Sequence, residues 1–150
     1  TKRLSPIEVA ARMEKVQEEI EQVRRQSLEV QQEEATNYVL ENIARGYNKY
    51  NPYEVGGLLQ KIFDWKVSLD NSIKKKLLEE FYHLNAEDSH GYDARERGMH
   101  SSYYAAALAI AKELDDTTKV EFFDKRWHFA RSSERDGEIA DYMMDSMWGL

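Results

Sequence analysis

Between Pro6 and Gly46 the chain carries neither glycine nor proline, a span of about forty residues. Glycine and proline are the residues that most readily interrupt a helix. Ser5 and Pro6 supply a start: a hydroxyl to cap the first free N–H groups, then a ring at the position whose N–H has no partner anyway. The reading is one helix of about forty residues, against ~10–14 in an average globular helix. The chain as a whole has 150 residues, the size of one ordinary domain. A mean hydropathy of -0.76 and a 33% charged fraction imply much exposed surface per residue, which suits an elongated part.

Within this helix Val9, Met13, Val16, Ile20, Val23 and Val30 recur at alternating spacings of four and three, with Ser27 interrupting. That is a heptad seam, and so narrow a stripe asks for a partner helix. Glu19 falls at a g position and Arg24 at the next e, an attractive pair across a parallel coiled coil, while Arg12 faces Gln17 neutrally. Valine at every d position, where parallel dimers prefer leucine, leaves the copy number open. Beyond Glu34 the phase changes. Ala35, Tyr38, Val39 and Ile43 mark a second face expected to dock on the globular part. The expected division is therefore 1–34 as an N-terminal oligomerisation helix and 35–150 as a globular helical bundle.

The remaining segments read as helices too. "YNKYNPYEVGG" repeats the Asx-Pro start at Asn51 and Pro52, with Leu58, Leu59, Ile62, Phe63 and Trp65 on the buried side. The pair Gly56–Gly57 weakens this helix by roughly 1 kcal/mol per glycine relative to alanine, so it is expected to admit another backbone. "DNSIKKKLLEEFYHL" is capped by Asp70 or Asn71 and buries Ile73, Leu77, Leu78, Phe81 and Leu84, with Lys74, Lys75 and Lys76 as a solvated first turn, poorly placed for the helix dipole. "SSYYAAALAIAKEL", rich in small residues, is the expected central helix. Thr117 or Thr118 with Glu121 resembles a capping box for a helix burying Phe122, Phe123, Trp127 and Phe129. Asp136 is expected to cap a last helix with Ile139, Tyr142, Met143 and Met147 along one side. No stretch alternates with period two for long enough to make a sheet. The fold class is all-α, a bundle of about six helices with a long, coiled-coil-like helix at the N-terminus.

Composition narrows function by exclusion. No cysteine is present, which rules out disulfides and thiolate metal sites and suits a reducing, cytoplasmic setting. A net charge of -7 argues against direct nucleic-acid binding through phosphates, which needs a basic surface. The longest apolar run, Tyr103 to Ala111, is too short to cross a bilayer, and the first residues lack the apolar core of a signal peptide.

Chemistry-bearing residues concentrate in "HLNAEDSHGYDARERGMHSSYY", residues 83 to 104. His83, His90, Asp93 and His100 are acceptable ligands for zinc, manganese or iron, but no HExxH or paired ExxH spacing is present. Arg95, Arg97 and His100 lie just before Ser101 and Ser102, which are expected to cap the next helix, where free N–H groups attract phosphate or carboxylate. Glu138, Asp141 and Asp145 share a face and could hold magnesium with Glu18 and Glu21, but that second pair lies in the presumed coiled coil. No GxSxG elbow supports nucleophilic catalysis, and Asp124 with His128 reads as a structural hydrogen bond.

No catalytic group has its required companions and no cofactor is called for. The expectation is a non-enzymatic, acidic, homo-oligomeric adaptor or inhibitor of another protein, of the kind by which phages and plasmids block host enzymes. The alternative is an anion-, nucleotide- or metal-binding protein, or a hydrolase, with its site in 83–102.

Overall fold

The computed structural model describes residues 3–86 and 99–147, with the side chains of 142 and 145–147 set aside. Among the described residues there are five α-helices and no strand. Helix α1 runs Pro6–Arg45, and the Ser5 hydroxyl accepts from the Glu8 N–H at 3.2 Å. It ends at Gly46, whose φ of +82° is the left-handed backbone that glycine adopts without a steric cost. Helix α2 runs Pro52–Asp64, capped by Asn51, whose side chain accepts from Tyr53 N–H at 2.9 Å. Helix α3 spans Asn71–Ala86, with Asp70 accepting from Ser72 N–H at 3.2 Å. Helix α4 is Ser101–Glu113 and α5 is Thr117–Met147.

Six expected helices become five because the last two are one. The 31-residue α5 runs straight through Asp136 and Gly137, so Asp136 caps nothing. A single glycine weakens a helix without ending it, and no proline follows to force a break. Cap assignments shift as well. At the start of α5, Asp116 rather than Thr117 or Thr118 accepts from Lys119 N–H, at 3.2 Å. At α4 the cap is His100, not a serine.

The core forms where α4 packs against α5, α2 and α3. Phe81, Tyr104 and Phe123 are fully buried at its centre, Phe81 and Phe123 stacked with centroids 5.5 Å apart. Burying each such ring contributes roughly 1.5–3 kcal/mol. Tyr104 carries its hydroxyl inward and donates to Asn85 Oδ1 at 2.9 Å, while Asn85 Nδ2 donates to the Phe81 carbonyl at 2.8 Å. Among the described residues no buried side-chain polar atom lacks a partner. The α2 side of the core is Val55, Leu58, Leu59 and Ile62. Phe63 and Phe129, expected inside, are 46% and 40% exposed, because each lies off the face its helix turns to the bundle.

Two lysines depart from the expected solvated surface. Lys74 is buried, its ammonium 2.9 Å from Glu113 Oε1, which ties α3 to the end of α4. Lys119 is buried between Glu79 and Asp116, at 2.5 and 2.7 Å. Burial alone would pull its pKa down, but the hydrogen bonds to the two carboxylates outweigh that and raise it. The glycine pair also divides. A Cβ on Gly56 would lie 2.9 Å from the Phe81 and Tyr103 rings, whereas one on Gly57 would meet nothing within 4 Å. The close approach expected there is made by side-chain rings, and only at Gly56.

No helix among the described residues is long and apolar enough to cross a membrane.

Candidate functional site

Every residue of α1 from Pro6 to Glu34 is exposed, and burial begins at Ala35 and Val39. The phase change in the sequence therefore coincides with the point where α1 meets α2. One polar contact lies just before it: Gln32 Nε2 donates to the Trp65 carbonyl at 3.1 Å and so caps the C-terminal end of α2. Ahead of Gln32 no residue of α1 is buried. The six seam residues Val9, Met13, Val16, Ile20, Val23 and Val30 are between 41% and 68% exposed. Ile7 and Leu28, which the a/d pattern does not contain, are exposed at 82% and 58%. They sit three heptads apart at the same b position, about 100° round the helix from a, and so lie off the seam. Tyr38, expected on the docking face, is half exposed.

The described histidines take separate partners. His83, near the end of α3, has Nε2 2.9 Å from Glu79 Oε1, one turn back. His90, Asp93, Arg95 and Arg97 lie outside the described residues. His100 Nδ1 accepts from Ser102 N–H at 3.1 Å. That bond leaves the proton on Nε2, which faces Glu134 Oε1 at 3.5 Å. Ser101 is buried, and its N–H and hydroxyl donate to the two oxygens of Glu134 at 2.8 and 2.9 Å. The structure thus joins His100, Ser101 and Ser102 at the start of α4, and a carboxylate from α5, 33 positions away, takes the place expected for an external anion. The Tyr103 N–H is held as well, by the His100 carbonyl at 3.2 Å. Burial would raise the Glu134 carboxyl, but the two bonds from Ser101, with His100 and Arg131 nearby, hold it below its ordinary value.

The other acids do not gather. Glu138 and Asp141 are exposed on α5, Glu18 and Glu21 are exposed on α1, and nothing is described of the Asp145 side chain. Asp124 and His128 make a 3.5 Å pair at the surface of α5. Among the described residues no three His, Asp or Glu side chains are placed to hold a metal ion. The buried lysines and the Ser101–Glu134 clasp went unread in the sequence because their partners lie on other helices, out of reach of any local spacing rule.

No protein-family model, curated protein or solved structure matches the chain.

Proposed function

We propose that the protein is a non-enzymatic interaction module that assembles with copies of itself through residues 1–34 and uses its 35–150 body to engage another protein as an adaptor or inhibitor. The observation that carries this is the exposed seam. Six apolar side chains line one edge of a helix that has already left its own bundle. Fully covering a valine, isoleucine or methionine contributes roughly 1.5–3 kcal/mol, and even partial covering of six such residues by a second helix outweighs the loss of motion on pairing. A parallel pair also sets Glu19 against Arg24 of the other copy and opposes no like charges. Ser27, the one polar residue in the seam, meets its own counterpart, so two hydroxyls satisfy each other. The absence of cysteine suits a cytoplasmic setting.

Light scattering on the full chain tests the assembly. The expected particle mass is a multiple of 17.6 kDa. Val16→Lys combined with Ile20→Lys places charge in the seam and should return the single-chain mass with the body's melting transition intact. A wild-type protein that scatters as one chain at micromolar concentration defeats the reading.

A further inference from the structure

Where α1 crosses α2, a cleft of about 360 Å³ stands open between them, within the ~300–1,000 Å³ in which proteins hold ligands. Four aromatic residues line it, among polar side chains such as Asn42, Gln60 and Lys61. Tyr38 comes from α1, Tyr47 from the loop after it, Tyr53 from the first turn of α2 and Trp65 from its end. Along α2 the positions Tyr53, Gly57, Lys61 and Trp65 follow at four-residue intervals and share one face. At the second of them the side chain is missing.

Nothing among the described residues accounts for Gly57. Its neighbour Gly56 is required by the Phe81 and Tyr103 rings, but a Cβ at Gly57 meets no atom within 4 Å. Glycine inside a helix is disfavoured; Gly137 in α5 likewise meets no atom within 4 Å, but Gly57 lines a cleft, where the missing side chain leaves room for something else. A backbone lying across α2 needs such a gap.

We infer that the cleft receives a proline-rich segment of another protein, extended as a polyproline II helix across Gly57. Aromatic-lined grooves take such segments by stacking on the prolyl rings, and the peptide is already stiff before it binds. The hydrogen-bond chemistry agrees. Prolyl residues present carbonyl acceptors and no N–H donors. Facing them, the Tyr38 hydroxyl and the Trp65 indole N–H make no hydrogen bond to any described residue, and Lys61 Nζ lies 5.2 Å from the Tyr38 ring centroid without a carboxylate partner among the described residues. These are donors beside flat apolar faces. The Tyr47 hydroxyl is engaged elsewhere, donating to Glu80 Oε2 at 2.5 Å. Glu54, whose carboxylate accepts from Asn48 N–H at 2.7 Å, and Asp64 also line the cleft, and their negative charge favours a basic residue next to the prolines. Pro6 and Pro52 are both built into first turns of helices, so neither is the occupant. This inference names the partner of the interaction module and rests on that reading, but not on self-assembly.

Calorimetric titration of the full chain with a short peptide of alternating proline and alanine ending in arginine tests it, with serine replacing proline in the control. The proline peptide should bind saturably and the control should not. Gly57→Leu fills the gap and Tyr38→Ala removes a wall, and each should weaken binding at least about tenfold. Gly57→Leu should melt no lower than wild type, which shows that the lost affinity is not lost folding. No heat with the wild type, equal binding of the control, or wild-type affinity in Gly57→Leu overturns the inference. Uptake of tetramethylammonium instead, drawn to the aromatic faces as a cation, overturns it as well. Light scattering on the same samples separates the two claims: a single chain that binds the peptide refutes only assembly, and an assembled chain that does not bind it refutes only the cleft.

Discussion

Residues 6–34 of α1 and the segments 55–86 and 99–130 are both built from helices, yet they spend their apolar residues in opposite ways. In the bundle the apolar positions make broad faces, and aromatic rings such as Phe81, Tyr104 and Phe123 interlock at zero exposure. On the arm they make a stripe about one residue wide per turn, without a single aromatic ring, and it stays in solvent. Both patterns specify a helix. Only the broad one specifies a neighbour within the same chain, because a wide arc meets several packed helices at once, whereas a narrow a/d stripe is covered by a single helix lying alongside.

The largest test of this contrast is truncation on each side of it. Phe81→Ala should cost about 3–5 kcal/mol in urea unfolding, whereas Val23→Ala, measured at protein concentrations low enough to keep chains apart, should stay within about 0.5 kcal/mol. Comparable losses would erase the distinction. Next in size is the glycine pair. Gly56→Ala drives a methyl into two rings, one of them fully buried, and should lose about 1–3 kcal/mol. Gly57→Ala meets no atom and should gain about 1 kcal/mol, read as opposite shifts in the unfolding midpoint. About 1 kcal/mol should also come from Lys66→Gly. Lys66 sits at φ +48°, just past α2, where Val67 N–H reaches back to the Ile62 carbonyl at 3.0 Å. Glycine relieves that left-handed backbone, and thermal melting should register the gain in the bundle alone.

The smallest effect is a pH dependence, again confined to the bundle. Glu134 binds its proton less readily in the folded chain than its ordinary value of 4.5, so the unfolded chain holds more protons just below that pH. Its contribution is complete above about pH 4.5 and is lost as pH falls through the depressed folded value. Glu134→Gln should therefore flatten part of the acid decline in the urea midpoint. The slope should not vanish, because Lys119 lowers the Glu79 and Asp116 carboxyls in the same sense. An unchanged slope would mean that the Ser101 clasp does not form in solution.

What could be read from sequence follows the same division between local and distant partners. The start at Ser5–Pro6, the Asn51–Pro52 cap and the change of phase near Ala35 are local signals, and each appears in the structure. Lys74 looked like one of three solvated lysines because its partner, Glu113, lies 39 positions away on another helix. Ser101 looked like a helix cap open to an outside anion because nothing near it in sequence announces Glu134. The break expected at Asp136 and Gly137 failed for a different reason: a cap residue beside a glycine permits a stop but does not impose one. Of the candidate residues in 83–102, His83 and His100 prove to hold different glutamates, one within its own helix and one across the bundle.

The continuity of α1 across residue 35 has a mechanical side. Its free part, 29 residues from Pro6 to Glu34, is a stiff rod of about 43 Å at 1.5 Å per residue. A sideways pull applied near Val9 acts through that lever on a foothold made of Gln32, Ala35 and Val39, at the edge of the Tyr38–Trp65 opening. Torque at the far tip is thus delivered to the residues beside the opening.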